Sequence, residues 1–211
     1  TGGHLWAETY DRKLDDIFSV QDEICKSIML ALQVKLTMGE QALMGADTEN
    51  IKAYEKYLKA REHYLRRTRE ESLVARQLFQ EAITLDPEYA MAYVDVGWTY
   101  LDDIWLGMTK TPSESIAQAE AMVQKAISIR GLTAGENALL SSIHLLKKDW
   151  EKAIFYGEKA VEQNPNRAGV HSVLGYALRS NGQYEEAISS YKKALKLNPV
   201  RNINRLSGLA L

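Results

Sequence analysis

Acid–base and metal chemistry need carboxylates, histidines or thiolates gathered within a few ångströms, so the residues able to do such work come first. The four histidines, His4, His63, His144 and His171, lie far apart in sequence. No two of them have the i, i+4 spacing that would pair ligands on one helix face. The single cysteine, Cys25, excludes an internal disulfide framework. It follows Ile24 in an amphipathic stretch and reads as a half-buried small hydrophobe rather than a nucleophile, which would need an activating partner. Asp15-Asp16 precedes a helical pattern, where carboxylates cap free N–H groups and complement the dipole. Asp102 and Asp103, with Trp105, are less easily explained. They lie among Trp98, Tyr100 and an irregular stretch, and read either as packing groups of a loop or extended helix or as a contact site. Arg66, Arg67 and Arg69 form a basic run, but Glu70-Glu71 follows at once and argues against phosphate or nucleic-acid binding. Gly2-Gly3 opens no strand-to-helix phosphate loop. The expectation is therefore no catalytic residue, no metal site and no cofactor within this stretch.

The elements that position these side chains are helical and repeated. The chain has 211 residues, 45% hydrophobic and 26% charged, with only four prolines. Its net charge of −2 gives no general pull toward nucleic acid or anionic membrane. No apolar run reaches the ~18 residues that a membrane helix requires. Segments 134–165 and 168–199 align without a gap at an offset of 34 residues, matching Ala153 to Ala187, Ala160 to Ala194 and Asn164-Pro165 to Asn198-Pro199. Gly175, Ala187 and Ala194 are small enough to let antiparallel helices approach closely, so a large side chain at Ala187 should not fit. Gly182 suits a left-handed helix end and Asn198-Pro199 stops the next helix.

Two less regular repeats lie upstream. One begins at Ala90 with Gly97 in the expected place and has its second helix over 113–130, carrying Ala119, Val123 and Ala126. About ten extra residues, around 102–112, separate its two helices, and Gly131 stands where a proline would close the repeat. The other spans about 50–89, with Ala75, Phe79 and Ala82 in its second helix; its first helix lacks a Leu-Gly pair. Ahead of the repeats, 14–49 reads as an amphipathic helix whose stripe Ile17, Val20, Ile24, Ile28, Leu32, Leu36 must pack on something, either capping the solenoid or meeting a partner or second copy. Segment 1–13 reads as a turn and a short extended run, the remnant of an upstream α/β domain, and Leu206, Leu209 and Leu211 read as the start of a partial repeat over 201–211. The chain is thus expected to be a piece of something longer. Residues 1–50 carry net charge −5 and residues 166–211 net +5, which permits head-to-tail pairing, although a twofold homodimer closes more readily.

The pattern Leu174-Gly175, Gly182, Tyr184, Ala187, Tyr191, Ala194, Leu197, Pro199 resembles the tetratricopeptide repeat. The stretches Gly3-His4-Leu5-Trp6-Ala7-Glu8-Thr9-Tyr10-Asp11-Arg12, Leu14-Asp15-Asp16-Ile17-Phe18 and Gln21-Asp22-Glu23-Ile24 resemble the junction between a TolB-like α/β domain and C-terminal tetratricopeptide repeats in bacterial multidomain proteins. Such proteins include class III adenylate/guanylate cyclases and winged-helix transcriptional regulators, and Trp105-Leu106-Gly107 with 110–117 is similar to the cyclase-associated group. Lys148 in place of the turn glycine, Gly131 and the weak first repeat depart from the pattern.

The resemblance implies an all-α, right-handed superhelical solenoid whose first helices line a concave face. On this sequence that face is Met91, Val94, Trp98, Leu101, Ser142, Leu145, Ser172, Tyr176 and Arg179, a mixed apolar and aromatic groove with few charges. The implied function is a non-catalytic, cytoplasmic module that binds a protein or peptide. Any cyclase domain would lie upstream of this segment. The regulatory region of a transcriptional regulator and a small-molecule-sensing module remain open as alternatives.

Overall fold

The computed structural model describes residues 47–198. The junction over 1–13, most of the amphipathic segment 14–49 with its apolar stripe, Asp15-Asp16 and Cys25, and the partial repeat over 201–211 lie outside the described residues. The chain divides into two compact units, Thr1–Ile51 and Lys52–Leu211, and the helices below make up the second. Eight helices and no strand occur among the described residues: α1 (Ile51–Leu65), α2 (Arg69–Leu85), α3 (Ala90–Trp105), α4 (Pro112–Arg130), α5 (Ala134–Leu146), α6 (Trp150–Gln163), α7 (Ala168–Ser180) and α8 (Tyr184–Leu197).

Local chemistry sets these bounds. The Thr68 hydroxyl accepts the Glu71 N–H at the start of α2, and Asp149 accepts the Lys152 N–H at the start of α6. Thr133 and Glu136 form a reciprocal capping box on α5. Pro112 opens α4, where its missing N–H costs nothing. The first helix of every pair ends the same way, one residue beyond its C-cap in the left-handed region: Arg67 (φ 57°), Gly107 (φ 62°), Lys148 (φ 61°) and Gly182 (φ 79°). Gly131, out of place as a proline substitute, has φ 83° and ψ −171°, which a proline ring with φ near −65° cannot adopt.

Packing follows the small residues. Ala75, Ala119, Ala153 and Ala187 occupy one position in the four second helices, and Ala82, Ala126, Ala160 and Ala194 lie two turns on; all eight are buried. Within pairs α3 packs on α4, α5 on α6 and α7 on α8. Between pairs α2 packs on α3, α4 on α5 and α6 on α7, while first helices α3, α5 and α7 stack in sequence. In the first pair Tyr57 of α1 meets Phe79 of α2 with ring centroids 5.4 Å apart, and Tyr89 closes on Tyr57 at 5.0 Å. This gives the weak first repeat a core of aromatic rings in place of a Leu-Gly contact. Trp98 is half-buried and packs against three successive core clusters, so it ties the first three pairs together.

The expected loop over 102–112 is shorter than the sequence suggests, because α3 continues through Asp102, Asp103 and Trp105. Only Leu106–Thr111 connects α3 to α4.

Two changes test this account. A Cβ on Gly157 would lie 3.2 Å from the Leu174 Cα and from the Ser141 Oγ. Gly157→Val should therefore cost about 1–3 kcal/mol by overpacking, read as a lower urea midpoint. Lys148 is exposed and pays the left-handed penalty without a glycine. Lys148→Gly should raise stability by up to about 1 kcal/mol in the same assay.

Candidate binding cleft

A cleft of about 630 Å³ opens between the first helices of three pairs. Tyr57 and Arg61 come from α1, and Met91, Val94 and Asp95 from α3. Arg130, Leu132, Thr133, Ala134 and Gly135 come from the α4–α5 turn, with Gln163, Asn164 and Arg167 from the α6–α7 turn. Its walls are braced by hydrogen bonds between repeats. The Tyr57 hydroxyl donates to Asp95 Oδ2 at 2.7 Å, and Arg61 Nη1 lies 3.3 Å from both Asp95 oxygens. Burial first, then the Asp95 carboxylate, pushes the Tyr57 phenol far above its ordinary range, so it remains a donor. Arg130 grips Glu136 Oε1 through Nε at 3.0 Å and Nη2 at 2.7 Å. Glu136 also accepts the Thr133 N–H at 3.0 Å. Asn137 Nδ2 donates to Gln163 Oε1 at 2.9 Å, and Gln163 Nε2 donates to the Leu132 carbonyl at 3.0 Å, so the two turns hold each other.

A second polar assembly fastens the long α3. Arg67 Nη1 lies 3.1 Å from Asp102 Oδ1, and its guanidinium carbon stands 4.9 Å from the Tyr64 ring centre. Arg76 reaches Asp103 Oδ1 at 2.6 Å, the Thr99 carbonyl at 2.7 Å and the Thr99 hydroxyl at 2.9 Å, with its guanidinium over the Tyr100 ring at 4.2 Å. Arg69 caps the end of α3 by donating to the carbonyls of Leu106 and Gly107. Arg66 pairs with Glu62 and Glu71. The basic run is therefore spent on internal bonds, and Asp102 and Asp103 are buried partners within them. Trp105 remains 47% exposed, its ring 6.2 Å from that of Trp98.

The residues expected on the inner face divide in two. Val94, Leu101, Ser142 and Ser172 are buried between helices, because a first helix touches both its own partner and its neighbours and has little face to spare. Their side chains serve packing, and of these four only Val94 reaches the cleft wall. Met91, Trp98, Leu145, Tyr176 and Arg179 stay half-exposed; Met91 lines the cleft, and Arg179 lies over the Tyr176 ring at 5.3 Å. The charges of the cleft were missed. Arg61 sits in the first helix that lacks a Leu-Gly pair, and Arg130 and Arg167 sit at a helix end and a turn rather than on inner helical positions. Among the described residues no group of three or more His, Cys, Asp and Glu could hold a metal ion.

Residues 168–199 match the tetratricopeptide repeat family. A solved thermophilic TPR protein of Thermus thermophilus superposes with a TM-score of 0.62 over 92% of this chain and 97% of its own, at 20% identity. The fold is the tetratricopeptide-repeat solenoid. Tetratricopeptide proteins in general bind protein or peptide partners. Over 135 residues, 62% of its length, the chain is 37% identical to putative adenylate cyclase 3 of Rhizobium meliloti (strain 1021). Over 189 residues it is 25% identical to Superkiller protein 3 of Schizosaccharomyces pombe (strain 972 / ATCC 24843). The chain spans 22% of the first relative and 14% of the second. No described helix is long and apolar enough to cross a membrane.

The insertion's ion pairs can be tested within this solenoid. Arg76→Met strands the buried Asp103 carboxylate and should cost roughly 3 kcal/mol in urea denaturation. Adding Asp103→Leu should recover much of that loss, since an apolar pair replaces the charges.

Proposed function

We propose that this chain is the protein-interaction region of a bacterial multidomain signalling protein, and that it assembles or regulates an attached output domain, with a nucleotidyl cyclase as the first candidate. The observation that carries the reading is the cleft shared by three successive helix pairs. A surface built from several repeats is where a solenoid presents a composite site to another chain. The lining mixes apolar Met91, Val94 and Leu132 with polar groups already fixed in place, which suits burial of a peptide segment with directional polar contacts. The cyclase assignment is supported by the 37% identity to putative adenylate cyclase 3, whose name describes that protein. A cytoplasmic setting goes with this reading, because a cyclase domain draws on the intracellular nucleotide pool.

The test uses the full-length polypeptide in cells with a photo-crosslinking amino acid. Placed at Leu132, on the cleft, it should yield discrete protein adducts. Placed at Glu158, exposed on the second helix α6, it should yield few. Equal yields from both positions, or none from Leu132, would remove the cleft from the function.

A further inference from the structure

The cleft is electrostatically lopsided. Arg61, Arg130 and Arg167 line it against a single carboxylate, Asp95. The carboxylates paired with the first two sit deeper: the Asp95 side chain is 7% exposed against 29% for Arg61, and Glu136 is 0% against 21% for Arg130. Arg167 is exposed and has no carboxylate partner among the described residues. The mouth is therefore cationic while the compensating negative charge lies behind it. The guanidinium of Arg61 gives only Nη1 to Asp95 and keeps further N–H donors for a ligand. The same lining includes Met91, Val94 and the half-exposed Leu132.

We propose that the cleft recognises an acidic, partly apolar peptide segment of a partner protein, whose Asp or Glu side chains pair with Arg167 and Arg61 while its apolar side chains cover Met91 and Leu132. This rests on the interaction-module reading and names the partner's chemistry. Charge complementarity selects the occupant. A basic segment would meet three cations at the mouth, and a purely apolar one would leave Arg167 desolvated without a partner. An extended segment turns alternate side chains to opposite sides, so acidic and apolar residues in alternation present one kind to the arginines and the other to the floor. Arg61 and Arg130 are held by their buried carboxylates before any ligand arrives, which lowers the ordering cost of binding.

The experiment measures fluorescence anisotropy of two labelled octapeptides, alternating Glu-Leu and alternating Lys-Leu, with the purified chain. The Glu-Leu peptide should bind, with affinity falling as salt rises, and the Lys-Leu peptide should not. Arg167→Glu should weaken Glu-Leu binding about tenfold or more, and Arg61→Gln severalfold. Lys193→Glu makes the same charge change on the exposed face of α8 and should have little effect. Circular dichroism confirms that each variant is folded; because Arg167 bonds no described carboxylate, its replacement should not disturb the fold. Acidic recognition is overturned by equal binding of the two peptides, by no binding of either, by equal effects of Arg167→Glu and Lys193→Glu, or by an oligothymidylate that binds more tightly than the Glu-Leu peptide. Each of these results leaves adducts at Leu132 intact if the broader reading holds, so the two failures are separable.

Discussion

Close approach of antiparallel helices at small residues is the constraint on which everything else here depends. Ala75, Ala119, Ala153 and Ala187 bring each second helix against its partner, and Gly157 lets α6 lie 3.2 Å, measured from a notional Cβ, from the backbone of α7. A pair so thin has little interior of its own. Its larger apolar groups must be covered by the next pair, which is why Trp98 touches three clusters and why Leu139 packs over Gly97 across a repeat boundary. The solenoid is the consequence: stability comes from interfaces between neighbours as much as from within each pair.

Where the repeat is interrupted, ion pairs replace that logic. The extra residues in the second repeat lengthen α3, and its end carries Asp102 and Asp103 into a partly buried place. Arg67 and Arg76 of the first pair meet them, and Arg69 takes the terminal carbonyls. Buried charge is costly unless it is paired, and an arginine fork paired in one geometry fixes register more than it adds stability. The same reasoning explains Arg67 in the left-handed region: a glycine there would relieve strain but give up the bond to Asp102. Lys148 has no such bond among the described residues, so only its strain is visible.

The regular half of the fold was legible in the sequence because it is written in residue size and spacing. Ala153 with Ala187, Gly182 and Asn198 each announce a contact or a helix end that the structure contains. The first repeat was harder, since Tyr57, Phe79 and Tyr89 achieve by ring packing what Leu-Gly achieves elsewhere, and ring packing has no fixed spacing. The cleft was least legible. A periodic pattern identifies which helical face is inward, yet it cannot say how much of that face neighbouring helices consume; Leu101, Ser142 and Ser172 went to packing for that reason. It is equally blind to turns, where Arg130, Leu132 and Arg167 are brought together by hydrogen bonds such as Gln163 to Leu132 that span about thirty residues of chain.

The separation between the two residue sets has a functional consequence. Fold is carried by small side chains at helix crossings, and those positions tolerate almost nothing else. Part of the cleft lining, Leu132 and Arg167 among it, stands at turns instead, away from those crossings. A solved solenoid shares this fold at 20% identity, and the fold alone does not specify what the cleft takes. Two of the cleft's arginines hold buried carboxylates and also belong to the bracing between elements. Of the three, only the Arg167 side chain bonds no described residue, so under the proposed peptide recognition it is the position at which partner preference would change with least cost to the scaffold.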